Sequence, residues 1–221
     1  EKSIHYLKQV FTITGGTFKS GETVSDVTAL LAPGYKQDRD GSVSIVPVET
    51  AKPTVTVDPS VSQTVSDKIT GNEAIANVDT GLDQVFSATD TQDAVDILQA
   101  ANNASGNPAD LSNTTIQTTV SVQLSTVEYK ENSSDVKTLS FEVKPQIQAL
   151  NADGDVVASA TISNEALNGK SITFRLPIVG TTAVKYVTVT HNGNAMGVYP
   201  VQGTGDDLYV EVVTKSFSTF T

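Results

Sequence analysis

The stretch Thr114-Thr115-Ile116-Gln117-Thr118-Thr119-Val120-Ser121-Val122-Gln123-Leu124 has a period of two. Ile116, Thr118, Val120, Val122 and Leu124 fall on one side, and Gln117, Thr119, Ser121 and Gln123 on the other. Successive side chains of a strand point to opposite faces, so this pattern reads as a half-buried β-strand. Val127 and Tyr129 break the parity, which predicts a bulge near Ser125-Thr126. The same period continues downstream. Leu139, Phe141, Val143, Ile147 and Ala149 alternate with polar residues. Asp153-Gly154 reads as a hairpin turn into Val156, Ala158, Ala160 and Ile162, and Asn168-Gly169 as another into Ile172, Phe174, Leu176 and Ile178. Strands near 186–190 and 196–201 flank Asn192-Gly193. Leu208, Val210 and Val212 form a further strand, and Phe217 and Phe220 close the chain. Short strands at regular spacing with turns between them predict an antiparallel, Ig-like β-sandwich over 113–221.

Working upstream, the texture changes. From 58 to 112 the spacing is helical. Val61, Val65 and Ile69 share a face, and Ile75, Val78, Leu82, Val85 and Phe86 form a second stripe. Thr89 opens a capping box with Gln92 ahead of Ala94, Val95, Leu98 and Ala101, and Gly106-Asn107-Pro108 ends that helix. This region reads as a subdomain, a cover on the sandwich or a connector. Residues 1–57 read as a small β segment. Val10-Phe11-Thr12-Ile13 is a strand before the Gly15-Gly16 turn, and Val24, Val27, Leu30 and Leu31 suggest a short helix or turn. Val43 and Ile45 belong to another strand. Ala51-Lys52-Pro53 reads as a linker into the strand Val55-Thr56-Val57.

Composition narrows the function. The 221 residues carry a net charge of -11 with a sequence pI of about 4.5, which argues against phosphate backbones and anionic membranes as partners. No apolar run is long enough to insert in a bilayer. Cysteine is absent, which removes disulfides, thiolate metal sites and cysteine nucleophiles together. The chain opens at Glu1, which reads as a processed form or a piece of a longer protein.

Two groups of motifs carry a resemblance. Ile13-Thr14-Gly15-Gly16-Thr17-Phe18, Ala32-Pro33-Gly34-Tyr35 and Asp40-Gly41-Ser42-Val43-Ser44-Ile45-Val46 resemble a module of repeat-rich cell-surface proteins of Gram-positive gut Firmicutes. There it closes a pectin-lyase-like β-helix, although the repeating coils do not precede Ile13 here. Leu139-Ser140-Phe141-Glu142-Val143-Lys144-Pro145, Ile172-Thr173-Phe174-Arg175-Leu176-Pro177 and the segment from Tyr209 to Phe220 are similar to C-terminal β-sandwich domains of such proteins. The resemblance implies an extracellular, cell-surface location and brings no catalytic residue with it.

The chemistry-bearing residues are few. The two histidines, His5 and His191, have no metal-ligand spacing, and His191 reads as an exposed turn residue before Asn192-Gly193. No nucleophile elbow or phosphate cradle is present. Asp38-Arg39-Asp40-Gly41 and Asn151-Ala152-Asp153-Gly154-Asp155 gather oxygen ligands in loops, which makes Asp38, Asp40, Asp153 and Asp155 candidate calcium ligands. The same residues are ordinary turn chemistry, and that is the preferred reading. Lys137, Lys144 and Lys185 are the lysines on which an intramolecular isopeptide bond would depend, and they read as exposed strand residues. The expectation is a structural or spacer module of a surface protein, with no enzymatic activity and no cofactor. The alternative is an adhesin for a host glycan or matrix protein, acting through loops 129–134 and 191–196.

Overall fold

The computed structural model describes residues 12–86, 91–180 and 183–221. Val10, Phe11, His5 and the capping residue Thr89 lie outside them. Strand takes up 42% of the described residues and helix 15%, so the structure is mainly β, as the period of two requires. It forms two compact units. One comprises Glu1–Thr50, Phe86–Thr118 and Ile147–Thr161, the other Ala51–Val85, Thr119–Gln146 and Ile162–Thr221. Each unit is discontinuous in sequence.

In the first unit, the short strands β1 (Gly16–Thr17), β2 (Lys19–Ser20), β3 (Thr23–Val24), β4 (Tyr35–Gln37) and β5 (Ser42–Ile45) form two small antiparallel sheets. The apolar patch near Leu30 becomes a single 3-10 turn, Thr28–Leu30, which leaves Leu31 fully buried. The helix Thr91–Ala104 buries Ala94, Val95 and Leu98. Gly34 lies against it with φ +75°, and a Cβ there would stand 3.1 Å from Val95 Cγ2. A left-handed backbone and a close helix approach together require glycine at this position. Beyond the helix, Asn102 closes the following loop twice. Its amide donates to Ala109 O at 2.9 Å and its carbonyl accepts from Ala109 N at 3.0 Å.

The strand β6 (Glu49–Thr50) of this unit pairs in parallel with β8 (Thr115–Tyr129), and β7 (Thr54–Val57) of the second unit does the same. Both β8 and β9 (Val136–Leu150) pass through both units. In β8 the expected inward set is buried throughout: Ile116, Thr118, Val120, Val122 and Leu124 are at most 1% exposed. Thr119 is buried as well, because its hydroxyl donates to Lys52 O at 2.8 Å. The expected linker at Ala51-Lys52-Pro53 is therefore hydrogen-bonded to the sheet. In the first unit, β9 turns back at Asp153-Gly154 into β10 (Val156–Thr161), as expected, with Gly154 N donating to Asn151 O.

The second unit holds β11 (Ile172–Pro177), β12 (Tyr186–His191), β13 (Asn194–Pro200), β14 (Tyr209–Thr214) and β15 (Thr219–Phe220). Its large sheet runs β13-β12-β15-β9-β8-β7 among the described residues. A separate ribbon pairs β11 with β14. The Phe174 ring of β11 meets Phe220 of β15 edge-on at 5.0 Å and Phe217 at 5.9 Å, which fastens ribbon to sheet. Arg175 holds the other side of the ribbon. It donates to Glu211 Oε2 at 3.1 Å, to Ala74 O at 2.9 Å and to Asn77 O, and its guanidinium lies 4.3 Å over the Tyr209 ring.

Two local expectations change, while β8 continues past Ser125-Thr126 with Val127 half-buried and Tyr129 exposed. Asn168-Gly169 is a left-handed turn, with φ of 50° and 74°, but it makes no hairpin: β11 pairs with β14. The stripe from Ile75 to Phe86 is not one helix. It breaks into 3-10 turns at Ile75–Asn77 and Leu82–Gln84, because Gly81 adopts φ +72° between them. Among the described residues before Thr91 only Gln63–Thr70 is α-helical, and it buries Val65 and Ile69.

Candidate functional site

The aspartates explain themselves first. Asp40 Oδ1 accepts from both the Ser42 hydroxyl, at 2.5 Å, and the Ser42 N–H, at 3.0 Å. Asp26 does the same with Thr28, Asp58 with Ser60 and Asp110 with Ser112. All four are Asp-x-Ser/Thr triplets, a motif legible in the sequence but not singled out above. One carboxylate oxygen satisfies two donors two residues ahead, which fixes a tight turn. The hydroxyl and N–H donors hold the Asp40 carboxyl below the usual range, and the Thr28 and Ser60 donors do the same for Asp26 and Asp58. Asp38 is lowered chiefly by Lys36, whose ammonium lies 3.1 Å away, and then by the Ser44 hydroxyl.

In the first candidate calcium loop, the Asp38 and Asp40 carboxylates thus accept from protein donors. Gly41 N bonds to Asp38 O at 2.9 Å, and Asp38 N to Ser42 O at 2.8 Å, which closes the β4–β5 turn. In the other loop, Asn151 Oδ1 accepts from Asp153 N at 3.0 Å and from Asp155 N at 2.8 Å. Its amide oxygen points at backbone, while the Asp153 and Asp155 side chains stand on an exposed turn. Asp207 caps the Glu73 N–H at 2.8 Å. Among the described residues no three His, Cys, Asp or Glu side chains gather to hold a metal ion.

His191 differs from the expectation. It is half-buried at the end of β12, and its ring stacks on Phe220 at 4.4 Å and 8°. Nε2 lies 2.7 Å from Ser218 Oγ, and that hydroxyl donates to Asn192 Oδ1 at 2.7 Å. The Ser218 hydroxyl is thus shared between the imidazole and the Asn192 carboxamide. The cluster staples the β12–β13 turn to the final strand. Lys137, Lys144 and Lys185 are exposed, and Lys144 pairs with Glu142 at 2.6 Å along its own strand.

One concave feature stands out in the second unit. A groove of about 570 Å³ opens where β9, β11, β12 and β14 diverge. Leu139, Phe141, Leu176, Val189 and Val210 supply its apolar floor, and Lys130 and Lys137 stand beside it. Its volume falls in the range of small-molecule sites. Sequence reading missed it because four strands distant in the chain build it. The one local clue is Lys137, which has the same parity as Leu139 and Phe141. A second, shallower dish joins Ser62, Thr64 and Val65 to Tyr129 and Ser133 of the expected binding loop. Tested against known proteins, the chain matches no family model, no curated protein and no solved structure.

Proposed function

We propose that this chain is a structural module of a bacterial cell-surface protein, carrying tension and no catalytic activity. One observation carries the reading. In the second unit β7 runs parallel to β8, while β9 runs antiparallel to β15. With β8 and β9 joined as a hairpin, β7 and β15 point the same way. The chain enters β7 at one end of the sheet and leaves β15 at the other. Load applied at these two points acts along the strands, so ladder bonds are strained together instead of one at a time.

The final strand is well placed to bear such load. It lies between β9 and β12, and Thr221 exchanges both backbone bonds with Thr190, at 2.6 and 3.0 Å. Val143 N donates to Ser218 O, and Asn192 N to Thr219 O. The Ig-like sandwich and the cell-surface location belong to this proposal. Support for the first is the Phe174–Phe220 contact between ribbon and sheet, and for the second the Firmicutes-like motifs. Pulling single molecules in two directions tests the reading, as developed in the Discussion.

A second reading, an adhesin for a host glycan or matrix protein, is favoured by one surface. Tyr186 is 67% exposed and Val198 68% exposed, and they lie on adjacent strands beside Pro200. Aromatic groups exposed in this way are common in recognition patches. Glycan and matrix arrays probed with the protein and with Tyr186→Ser separate the readings. Saturable binding lost in the variant supports the adhesin, and silence in both leaves the structural module.

A further inference from the structure

The groove of the second unit contains an anomaly. In β9, Lys137, Leu139, Phe141 and Val143 share one face, and that face is the core face: Phe141 is 2% exposed and Val143 fully buried. A lysine therefore continues the core-facing row at the open mouth of the groove. Lys130 stands nearby, tied to Asp135 only by an exposed contact of 3.7 Å, and such pairs are weak. The described lining residues include these two lysines and no acidic side chain. In a chain with 25 acidic and 14 basic residues, two cations beside an apolar hollow are not what the bulk composition gives.

We propose that this groove binds a single-chain amphipathic anion, an aliphatic carboxylate. The tail lies on Leu139, Phe141, Leu176 and Val189, and the carboxylate meets the ammonium groups of Lys137 and Lys130. Each apolar group removed from water stabilises the complex, and a charge-assisted hydrogen bond fixes the head. The negative surface elsewhere repels the same anion, which directs it to this mouth. The assignment is independent of the tension-bearing role.

Calorimetric titration of the full chain with dodecanoate, below its micellar concentration, tests the assignment. Dodecyltrimethylammonium and dodecanol serve as cationic and neutral controls. Saturable one-to-one binding of the anion is expected, with methyl resonances of Leu139, Leu176 and Val189 shifting selectively. Lys137→Glu, an exposed substitution that leaves the fold intact, should weaken binding about tenfold or more. Unsaturable uptake, equal affinity for the cation, or unchanged affinity in Lys137→Glu would overturn the proposal.

Discussion

Replacing Phe220 by alanine tests the packing of the second unit at its most connected point. The side chain is fully buried, its ring meets Phe174 at 5.0 Å edge-on, and His191 stacks on it at 4.4 Å. Removing a buried phenylalanine costs roughly 3–5 kcal/mol in lost transfer energy and cavity. Two ring contacts, each contributing about 0.5–1.5 kcal/mol beyond area, place this site in the upper half of that range. The expected loss is about 4 kcal/mol. With a urea slope of about 2 kcal/mol/M, the midpoint of the second unit's transition falls by about 2 M. Far-ultraviolet circular dichroism follows it, and a chain of two units is fitted with two transitions. Phe217→Ala is the control. Phe217 is only half-buried and touches Phe174 at 5.9 Å, so about 1–2 kcal/mol is expected. If Phe220→Ala costs no more than Phe217→Ala, the ribbon and sheet are not joined as described.

Three further outcomes follow from the turns. Asp26, Asp38, Asp40 and Asp58 are all lowered in the folded state from 3.8, so they stabilise it above that pH. Urea midpoints should hold steady near neutrality and fall as pH drops through and below 3.8, with a shallower fall in Asp40→Asn. Gly41→Ala should destabilise the first unit by more than about 2 kcal/mol, because the backbone is left-handed and the new Cβ meets Phe18 O, whereas Gly154→Ala, left-handed but with no neighbour, should cost about 1 kcal/mol in thermal melts. Millimolar calcium should leave the melting temperature unchanged, and a rise of several degrees would show that Asp38, Asp40, Asp153 or Asp155 bind it.

The strands were legible where one face is buried and the other is not. Ile116 to Leu124 and Phe141 to Ala149 alternate because water lies on one side only, and burial follows that parity. Strand direction leaves no such trace, so Val55-Thr56-Val57 reads as a strand without showing that it docks in parallel on β8. Asn168-Gly169 has the backbone of a hairpin turn, but a turn's chemistry fixes only its own four residues. The partner of β11 is β14, beginning 32 residues after its last residue, Pro177, and non-local pairing is not written locally. The stripe from Ile75 to Phe86 is apolar at helical spacing in any tight helix, and Gly81 decided between α and 3-10. At the site level, the aspartate turns were readable from Asp-x-Ser/Thr triplets. His191 was misread because its burial comes from Phe220, at the far end of the chain. The groove was hidden for the same reason, apart from the parity of Lys137.

The parallel setting of β7 and β15 is most directly tested by single-molecule pulling in two directions. The chain has no cysteine, so introduced cysteines give unique handles. The pair Lys52→Cys and Thr221→Cys loads the second unit along its strands. The pair Asn132→Cys and Thr221→Cys applies load at the β8–β9 turn and the chain end, which lie at the same end of the sheet, and peels β15 away bond by bond. The first pair is expected to rupture at a force several-fold above the second. Equal forces, or a lower force for the first pair, would contradict it.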